Sequence, residues 1–372
     1  MTSYLYIYTM LVIVYYIMNK NVKIYVAGHR GLVGSAIWKN LLLKGYTNLI
    51  GRTHNELDLM DGAAVKNFFD REQPEYVFLA AAHVGGIMAN NSYRADFIYN
   101  NIQIQQNIIG ESYRHQVKKL LFLGSTCIYP KEAKQPMHED ELLTAPLEYT
   151  NEPYAIAKIA GLKTCESFNL QYGTNYLAAM PTNLYGPNDN FDLERSHVLP
   201  AMIRKTHLAH CLYNNDWEAI RLDLNIRPIK DISATSDKED ILNLLYSYGI
   251  TGKSVEFWGT GKPLREFLWS EEMADACVFI MEKVDFKDLA EGKKEVRNCH
   301  INIGTGKEIS IRNLATLIAG IIGYKGNIYF NSEKPDGTMR KLTDPSKLHA
   351  LGWHHRIEIE EGISKLYEWY TT

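Results

Sequence analysis

The stretch that decides the fold is Val22-Lys-Ile-Tyr-Val-Ala-Gly-His-Arg-Gly-Leu-Val-Gly34. It begins as a short β-branched run that predicts a buried strand, and a helical pattern follows over Ser35–Lys44. Gly28, Gly31 and Gly34 lie at the turn between the two. A strand, a glycine-rich turn and a helix together favour a dinucleotide site, because the turn lets the backbone approach the pyrophosphate at the helix N-terminus.

The second predicted strand indicates which dinucleotide would bind. It ends in Asn48-Leu-Ile-Gly-Arg52. A carboxylate at this position would suit the ribose 2′-hydroxyl of NAD, but the chain has Arg52 there and Arg30 in the glycine turn. Two guanidinium groups suit a 2′-phosphate, so the sequence favours NADPH over NADH. Asp58 is placed to contact the adenine end of the cofactor.

Strands and helices alternate through the first half of the chain. Tyr76–Ala82 and Leu120–Leu123 are predicted to be buried strands, and a long helix is predicted over Tyr93–Arg114 between them. This repeat predicts the α/β class, with a Rossmann-type doubly wound parallel sheet and helices on both faces. Beyond Asn183 the regularity is lost.

Two polar motifs follow these strands. Ser125 comes directly after Leu120–Leu123, so it would stand at the carboxyl edge of the sheet, where open α/β sheets bind ligands. Tyr154 and Lys158 are four residues apart and would share one helix face. An ammonium nearby lowers the pKa of a tyrosine from its usual value of about 10, which would make Tyr154 a proton donor to a carbonyl oxygen. Alone, such a pair is more often a solvated helix face.

The composition is that of a globular protein, with 372 residues, 46% hydrophobic and 22% charged, and a net charge of -3. That charge gives no electrostatic field favouring nucleic acid. The five cysteines are Cys127, Cys165, Cys211, Cys277 and Cys299. No pair has metal-ligand spacing, so we expect no metal site and reduced thiols in a cytoplasmic protein.

Residues 1–18 need a separate interpretation. Tyr4–Met18 is uncharged, but it is shorter than the ~20 residues of a spanning helix and lacks the basic region and cleavage site of a secretory signal. From Met18 the chain begins as many nucleotide-binding proteins do. We expect translation to start at Met18; a membrane anchor and an apolar extension packed on the protein are the alternatives.

Longer motifs carry a resemblance to a known family. They are Gly28–Ile37, Val84-Gly-Gly-Ile87, Ser125-Thr-Cys-Ile-Tyr-Pro130, Asn151–Lys158, Pro181-Thr-Asn-Leu-Tyr-Gly-Pro187, Trp258–Phe267 and Lys334–Lys341. With them the chain resembles the extended short-chain dehydrogenase/reductases and, among these, the GDP-L-fucose synthases. That family epimerises GDP-4-keto-6-deoxy-D-mannose at C3 and C5 and then reduces the C4 ketone with NADPH.

The resemblance implies two domains and a homodimer. Residues 19–185, with roughly 266–304, would form the Rossmann domain that binds NADP(H). Residues of roughly 186–265, with 305–372, would form a smaller α/β domain that binds the GDP-sugar substrate. The dimer would be joined through a four-helix bundle that includes the helix starting at Tyr154, and neither a membrane nor a nucleic acid would be a partner.

The resemblance also assigns residues to the site. The catalytic residues would be Ser125, Cys127, Tyr154, Lys158 and His197. Cys127 and His197 would be the acid–base pair that inverts C3 and C5, and which of them gives the proton stays open. The cofactor residues would be Gly28, Arg30, Gly31, Leu32, Val33, Gly34, Arg52, Asp58, Ala81, Lys158, Pro181, Asn183, Leu184 and His197. The substrate residues would be Asn183, Val198, Lys205, Trp258, Arg265 and Lys341.

The chain departs from the family in four places. Thr126 replaces a frequent serine beside Ser125, and His54 stands where a further arginine can assist the cofactor phosphate, which weakens the preference for NADPH. Lys205 stands where the family commonly has an arginine, so it would offer the diphosphate a point charge rather than a bidentate fork. Residues from about 212 to 253 form a longer segment than in shorter members, with an amphipathic helix predicted over Asp237–Tyr246. We interpret this segment as a surface excursion, or otherwise as a contact with a partner subunit.

Two other functions remain open from the sequence. A sugar-nucleotide 4-epimerase or 4,6-dehydratase would use the same Tyr154 and Lys158 with a tightly held NAD. A dehydratase would need an acidic pair where this chain has Cys127-Ile128. A cofactor-sensing regulator could keep the fold, but it could dispense with the tyrosine or the lysine.

Overall fold

The computed structural model describes residues 18–372, so the expectations for the stretch upstream of Met18 lie outside the described residues. Its helices are α1 Leu32–Leu43, α2 Gly62–Glu72, α3 Ile87–Ser92, α4 Arg94–Arg114, α5 Glu152–Tyr172, α6 Val198–Tyr213, α7 Trp217–Ile226, α8 Lys238–Ser247, α9 Ser270–Lys283, α10 Phe286–Ala290, α11 Ile311–Ile322, α12 Ser346–Ala350 and α13 Ile359–Thr371. Its strands are β1 Ile24–Ala27, β2 Leu49–Ile50, β3 Tyr76–Leu79, β4 Lys119–Leu123, β5 Tyr176–Pro181, β6 Asn183–Tyr185, β7 Ser254–Trp258, β8 Leu264–Arg265, β9 Phe267–Trp269, β10 Ile301–Ile303, β11 Ile309–Ser310, β12 Asn327–Asn331 and β13 Arg340–Lys341. Among these helices, none is both long and apolar enough to cross a membrane.

Six parallel strands form the central sheet, in the order β2-β1-β3-β4-β5-β10. From β1 the chain goes first to β2 on one side and then to β3 on the other, so the strand order reverses between β1 and β3. Successive residues of β1 face opposite sides: Ile24 and Val26 join one hydrophobic cluster, Tyr25 and Ala27 another. The sheet is therefore buried on both faces, which confirms the predicted α/β class.

The second half of the chain builds a further core beside this sheet. Three small sheets lie here, with strand orders β11-β8-β13, β12-β7 and β6-β9. Buried side chains from α6, α7, α8, α11 and α13 join those of β7 and β9 in a third hydrophobic cluster. Residues far apart in the chain thus share one core. Such a core leaves no local pattern in the sequence, which is why the sequence did not predict it.

Residues 212–253 belong to this third core. Ile220 and Leu224 of α7, and Ile241 and Leu245 of α8, have no exposed surface. Burying a side chain of this kind is worth about 1.5–3 kcal/mol relative to leaving it exposed. The interpretation of the segment as a surface excursion is therefore wrong, although the predicted amphipathic helix is present as α8.

A buried ion pair joins α6 to α7 inside this core. Arg204 donates to Asp223 Oδ2 from Nε at 3.1 Å and from Nη2 at 2.8 Å. The hydroxyl of Tyr370 on α13 donates to the other oxygen of the same carboxylate. The two charged side chains are 2% and 1% exposed. A buried charge is tolerated only when a counter-ion and hydrogen bonds compensate for the loss of water. Removal of either partner should therefore destabilise the fold strongly.

Asp223→Ala will leave the Arg204 guanidinium buried without its counter-ion. We expect the free energy of unfolding to fall by about 3–5 kcal/mol, measured by urea denaturation. Glu361→Ala is the control, because Glu361 pairs with Lys365 in the exposed part of α13, and its effect should be much smaller. An equal fall in the free energy of unfolding in the two variants would contradict the conclusion that the buried pair stabilises the fold more than the exposed pair does.

Candidate active site

The glycine turn packs tightly on one side and is open on the other. Gly28 has a φ of +84°, and a Cβ there would lie 2.8 Å from the backbone N of Ala81, just beyond β3. A Cβ on Gly34 would lie 2.1 Å from Gly28 O. A Cβ on Gly31 would meet only Gly28 O, at an ordinary 3.6 Å. Gly31 is the N-cap of α1, so this open space adjoins free backbone N–H groups and suits a pyrophosphate.

A basic cleft of about 300 Å³ continues from this turn. Its lining is Gly28, His29, Arg30, Gly31, Arg52, Thr53, His54 and Asn55. Arg30 is exposed there, whereas Arg52 Nη2 donates to Glu72 Oε1 at 2.7 Å. The two predicted arginines therefore share one cleft, but one of them already has a carboxylate partner that the sequence analysis missed. Asp58 stands outside the lining, where its carboxylate accepts from Met60 N.

Ser125, Tyr154 and Lys158 are assembled around the carboxyl end of β4. Ser125 follows this strand, and its Oγ accepts a hydrogen bond from Cys127 N at 3.4 Å. Lys158 Nζ donates to Leu123 O at 2.8 Å, which anchors α5 to the same strand end. The ammonium lies 5.7 Å from the centroid of the Tyr154 ring. The helix spacing thus places phenol and ammonium on one face, as predicted.

Burial dominates the ionisation of this cluster. It raises the pKa of Tyr154 above its ordinary value, and the nearby Cys127 adds to the effect. The net shift of the Tyr154 pKa is thus opposite in direction to the lowering expected from Lys158, whose ammonium donates to the Leu123 carbonyl and whose own pKa burial lowers to about 8. Burial also raises the pKa of Cys127, opposed chiefly by the Lys341 ammonium. Tyr154 and Cys127 are therefore protonated near neutral pH, and burial alone makes each of them a weaker acid than in water.

His197 lies at the start of α6, in a loop that touches the Gly86 turn. A Cβ on Gly86 would lie 3.3 Å from Arg195 O, so the two loops are in contact. His197 and Val198 are exposed. Partial burial among protein atoms still lowers the pKa of His197, because a side chain inside a cleft is partly desolvated although water reaches it. Its imidazole is then neutral near pH 7 and can accept a proton.

The segment after β5 leads from the central sheet to the second half. Pro181 ends β5, and Asn183 and Leu184 begin β6, which pairs with β9. The Asn183 side chain donates to the backbone oxygen of Glu266 at 2.8 Å. Asn183 is thereby tied to Glu266, the residue next to the predicted substrate residue Arg265.

The cations predicted for the substrate are largely buried. Lys341 on β13 is the register partner of Arg265 on β8, and burial lowers the pKa of both. Lys341 is close enough to Cys127 for its charge to oppose the rise in the thiol pKa, so it stands near the catalytic cluster. Lys205 on α6 donates to Glu256 O at 2.7 Å, and burial lowers its pKa to about 8.

The turn after Trp258 is held by an acidic residue of the loop between β12 and β13 that the sequence analysis missed. Asp336 accepts hydrogen bonds from Thr260 N at 2.8 Å and Thr260 Oγ1 at 2.7 Å. Its charge also acts on Arg265 and opposes the lowering of the guanidinium pKa. The available signal was a single acidic residue inside the otherwise basic Lys334–Lys341 motif. Trp258 itself is 56% exposed beside this turn.

Comparisons with known proteins agree with this geometry. Residues 24–223 and 233–304 match the NAD dependent epimerase/dehydratase family. GDP-L-fucose synthase 1 of Arabidopsis thaliana is 48% identical over 95% of this chain and 94% of its own length. GDP-L-fucose synthase of Escherichia coli is 47% identical over 94% of this chain and 96% of its own. A GDP-D-glycero-L-gluco-heptose synthase of Campylobacter jejuni, crystallised in the presence of NADPH, has a TM-score of 0.89, with 45% identity over 95% of this chain and 100% of its own.

Gly31→Ala and Gly34→Ala separate the open and the packed sides of the turn. Gly31→Ala places a methyl group where the fold has room, so the unfolding temperature should not change, while the Kd for NADPH should rise by about tenfold or more. Gly34→Ala forces a methyl group against Gly28 O and should lower the unfolding temperature. Thermal unfolding and NADPH fluorescence titration measure the two effects. Unaltered NADPH binding by Gly31→Ala would place the pyrophosphate elsewhere.

Proposed function

The chain belongs to the NAD dependent epimerase/dehydratase family, and on this basis we propose that it converts GDP-4-keto-6-deoxy-D-mannose into GDP-L-fucose with NADP(H). The observation that carries the proposal is the near full-length identity of 47–48% to GDP-L-fucose synthases. The catalytic cluster at the carboxyl end of β4 supports it, since each residue type that the two reaction steps need is present there or in the adjoining loops.

The cofactor site fits NADPH. The open side of Gly31 accepts the pyrophosphate, beside Leu32 and Val33 at the start of α1, and Arg30 and Arg52 in the adjoining cleft bind the 2′-phosphate. When bound, NADPH supplies the hydride for C4. Residues 19–185 with roughly 266–304 form the cofactor domain in this proposal, and the remainder up to residue 372 forms the GDP-sugar domain.

Epimerisation depends on the acidity of the protons beside the ketone. The C4 carbonyl acidifies the C–H bonds at C3 and C5, and inversion needs a base on one face of the sugar and an acid on the other. Cys127 and His197 are this pair. In the free chain the thiol is protonated and the imidazole neutral, so the pair holds one transferable proton and one free basic nitrogen.

Reduction uses the other three catalytic residues. Ser125 Oγ hydrogen-bonds the C4 oxygen, and Tyr154 donates its phenolic proton to that oxygen as the carbon is reduced. Because burial raises the pKa of Tyr154, release of this proton needs a cation beside the phenolate that forms. Lys158, 5.7 Å from the ring centroid, holds the nicotinamide ribose, and its ammonium stabilises the phenolate when Tyr154 gives its proton to the C4 oxygen.

Buried cations bind the nucleotide diphosphate. Arg265 and Lys205 neutralise its charge, Trp258 contacts the guanosine, and Lys341 reaches towards the sugar because it lies near Cys127. Asn183 at the start of β6 and Val198 at the start of α6 border the sugar. Cytoplasmic location remains a prediction from the cysteine content.

A second candidate is C4 reduction of a GDP-heptose. The Campylobacter jejuni GDP-heptose synthase is almost as similar in sequence as the fucose synthases and covers this chain to the same extent, with a TM-score of 0.89. A heptose differs from 6-deoxymannose at C6 and C7, away from the C4 oxygen that Ser125 and Tyr154 serve. The same reducing groups would therefore serve either sugar.

The decisive experiment combines NADPH oxidation with identification of the product by NMR. With GDP-4-keto-6-deoxy-D-mannose we expect the chain to oxidise NADPH and form GDP-L-fucose. Cys127→Ser should lower fucose formation by about 10²- to 10⁴-fold while C4 reduction of unepimerised sugar persists. Tyr154→Phe, the matched control, should lose reduction itself.

The outcomes separate the candidates. If the chain oxidises no NADPH with GDP-4-keto-6-deoxy-D-mannose, the proposal that it forms GDP-L-fucose is refuted. If a GDP-4-keto-heptose were reduced with a kcat/KM about tenfold higher, the second would replace it. Fucose formation undiminished in Cys127→Ser would remove Cys127 from the acid–base pair.

We propose that two copies of the chain associate through α4 and α5. These helices pack on one another and expose large apolar side chains, among them Tyr99, Tyr113, Ile156, Leu170 and Tyr172. Tyr113 and Tyr172 stack with ring centroids 4.5 Å apart, and exposed apolar side chains of this size are enriched at interfaces. Sedimentation equilibrium should give twice the chain mass, and Leu170→Glu with Tyr172→Glu should shift it to the monomer. A monomeric wild-type chain would refute the dimer.

A further inference from the structure

A fully buried carboxylate, that of Glu266, lies between β8 and β9 and has no exposed surface. Its Oε1 accepts from the backbone N and the hydroxyl of Thr305 and, at 2.8 Å, from Gly306 N. Its Oε2 accepts from Thr343 N at 2.9 Å. A single side chain therefore satisfies donors from two separate loops that follow β10 and β13.

The residues around Glu266 are those assigned to the substrate. Arg265 precedes it on β8 and is the register partner of Lys341 on β13. Thr343 lies two residues beyond Lys341 and its amide is held by Glu266 Oε2. The Asn183 side chain donates to the backbone oxygen of Glu266. Three substrate residues from distant parts of the chain thus meet at one buried acidic residue.

We propose that Glu266 is a positioning residue that fixes the spacing of Arg265 and Lys341 for the GDP-sugar. It binds no substrate itself, since no part of it is exposed. It acts by holding the strand that carries Lys341 beside the strand that carries Arg265. The inference rests on the proposed function and deepens it, because it concerns how the GDP-sugar site is organised.

The chemistry of the site requires a carboxylate at this position. Every neighbour of the two oxygens is a donor, and a carboxylate only accepts. In Glu266→Gln the amide has one oxygen and one NH₂ group. With its oxygen towards Thr305 and Gly306, its NH₂ group opposes the Thr343 N–H. A buried donor is then unpaired in the loop that directly follows the strand of Lys341.

The test measures binding of a GDP-hexose and binding of the cofactor separately. Glu266→Gln should raise the Kd for GDP-mannose, a stable GDP-hexose, by about tenfold in calorimetry, and the Kd for NADPH should not change. Glu166→Gln is the matched control, because Glu166 is also a buried carboxylate that accepts a backbone N–H, from Cys299. It should leave GDP-mannose binding unchanged. An equal rise in both variants would overturn the proposal.

A double-mutant cycle distinguishes positioning from general loosening. In a Lys341→Ala background, Glu266→Gln should raise the Kd for GDP-mannose by less than about twofold, because the residue it positions is gone. A full tenfold effect in that background would overturn the proposal. Glu266→Asp keeps an acceptor-only group and should be intermediate; if neither Glu266 variant folds while Glu166→Gln does, Glu266 serves the fold and the proposal fails. GDP-mannose binding needs no turnover, so these results stand apart from the reaction catalysed.

Discussion

The close approach of the glycine turn to the end of β3 is the constraint on which the site depends. A Cβ on Gly28 would lie 2.8 Å from Ala81 N, and one on Gly34 2.1 Å from Gly28 O. These contacts fix the start of α1 where the strand order reverses, so that the open side of Gly31 adjoins the helix N-terminus. Because the six strands are parallel, Ser125 after β4 lies at the same edge. The close packing of the glycine turn thereby determines where the cofactor can lie relative to Ser125.

Features that depend on local spacing could be predicted from the sequence, and features that depend on distant partners could not. The glycine turn follows from its place between a predicted strand and a predicted helix, and the parallel sheet follows from the alternation of strands and helices. The shared helix face of Tyr154 and Lys158 follows from their spacing of four residues. Glu72, which neutralises Arg52, is 20 residues away from it. The Asp223 that pairs with Arg204 lies in a segment whose composition indicated only an amphipathic surface. Long-range partners of this kind leave no periodic signal in the sequence.

The ionisation of Tyr154 is a second property that depends on tertiary structure and could not be predicted from the sequence. Helix spacing correctly indicates that an ammonium is near the phenol, but it does not indicate how far both are removed from water. Burial disfavours the phenolate and raises the pKa of Tyr154, while the Lys158 ammonium donates to the Leu123 carbonyl. The sign of the pKa shift is therefore set by tertiary packing, which the sequence does not display.

Desolvation gives the site two properties at once. It raises the pKa of Tyr154 and of Cys127, because neutral forms are favoured where water is excluded, so release of either proton depends on a neighbouring cation that stabilises the anion. It also lowers the pKa of Lys158 and Lys205 to about 8. An anionic ligand reverses this second effect, since its phosphates stabilise the ammonium forms that burial disfavours. A neutral sugar could not do so, and the cations would then be buried without a counter-charge. The same low polarity therefore keeps Tyr154 and Cys127 protonated and selects for a substrate that carries a diphosphate.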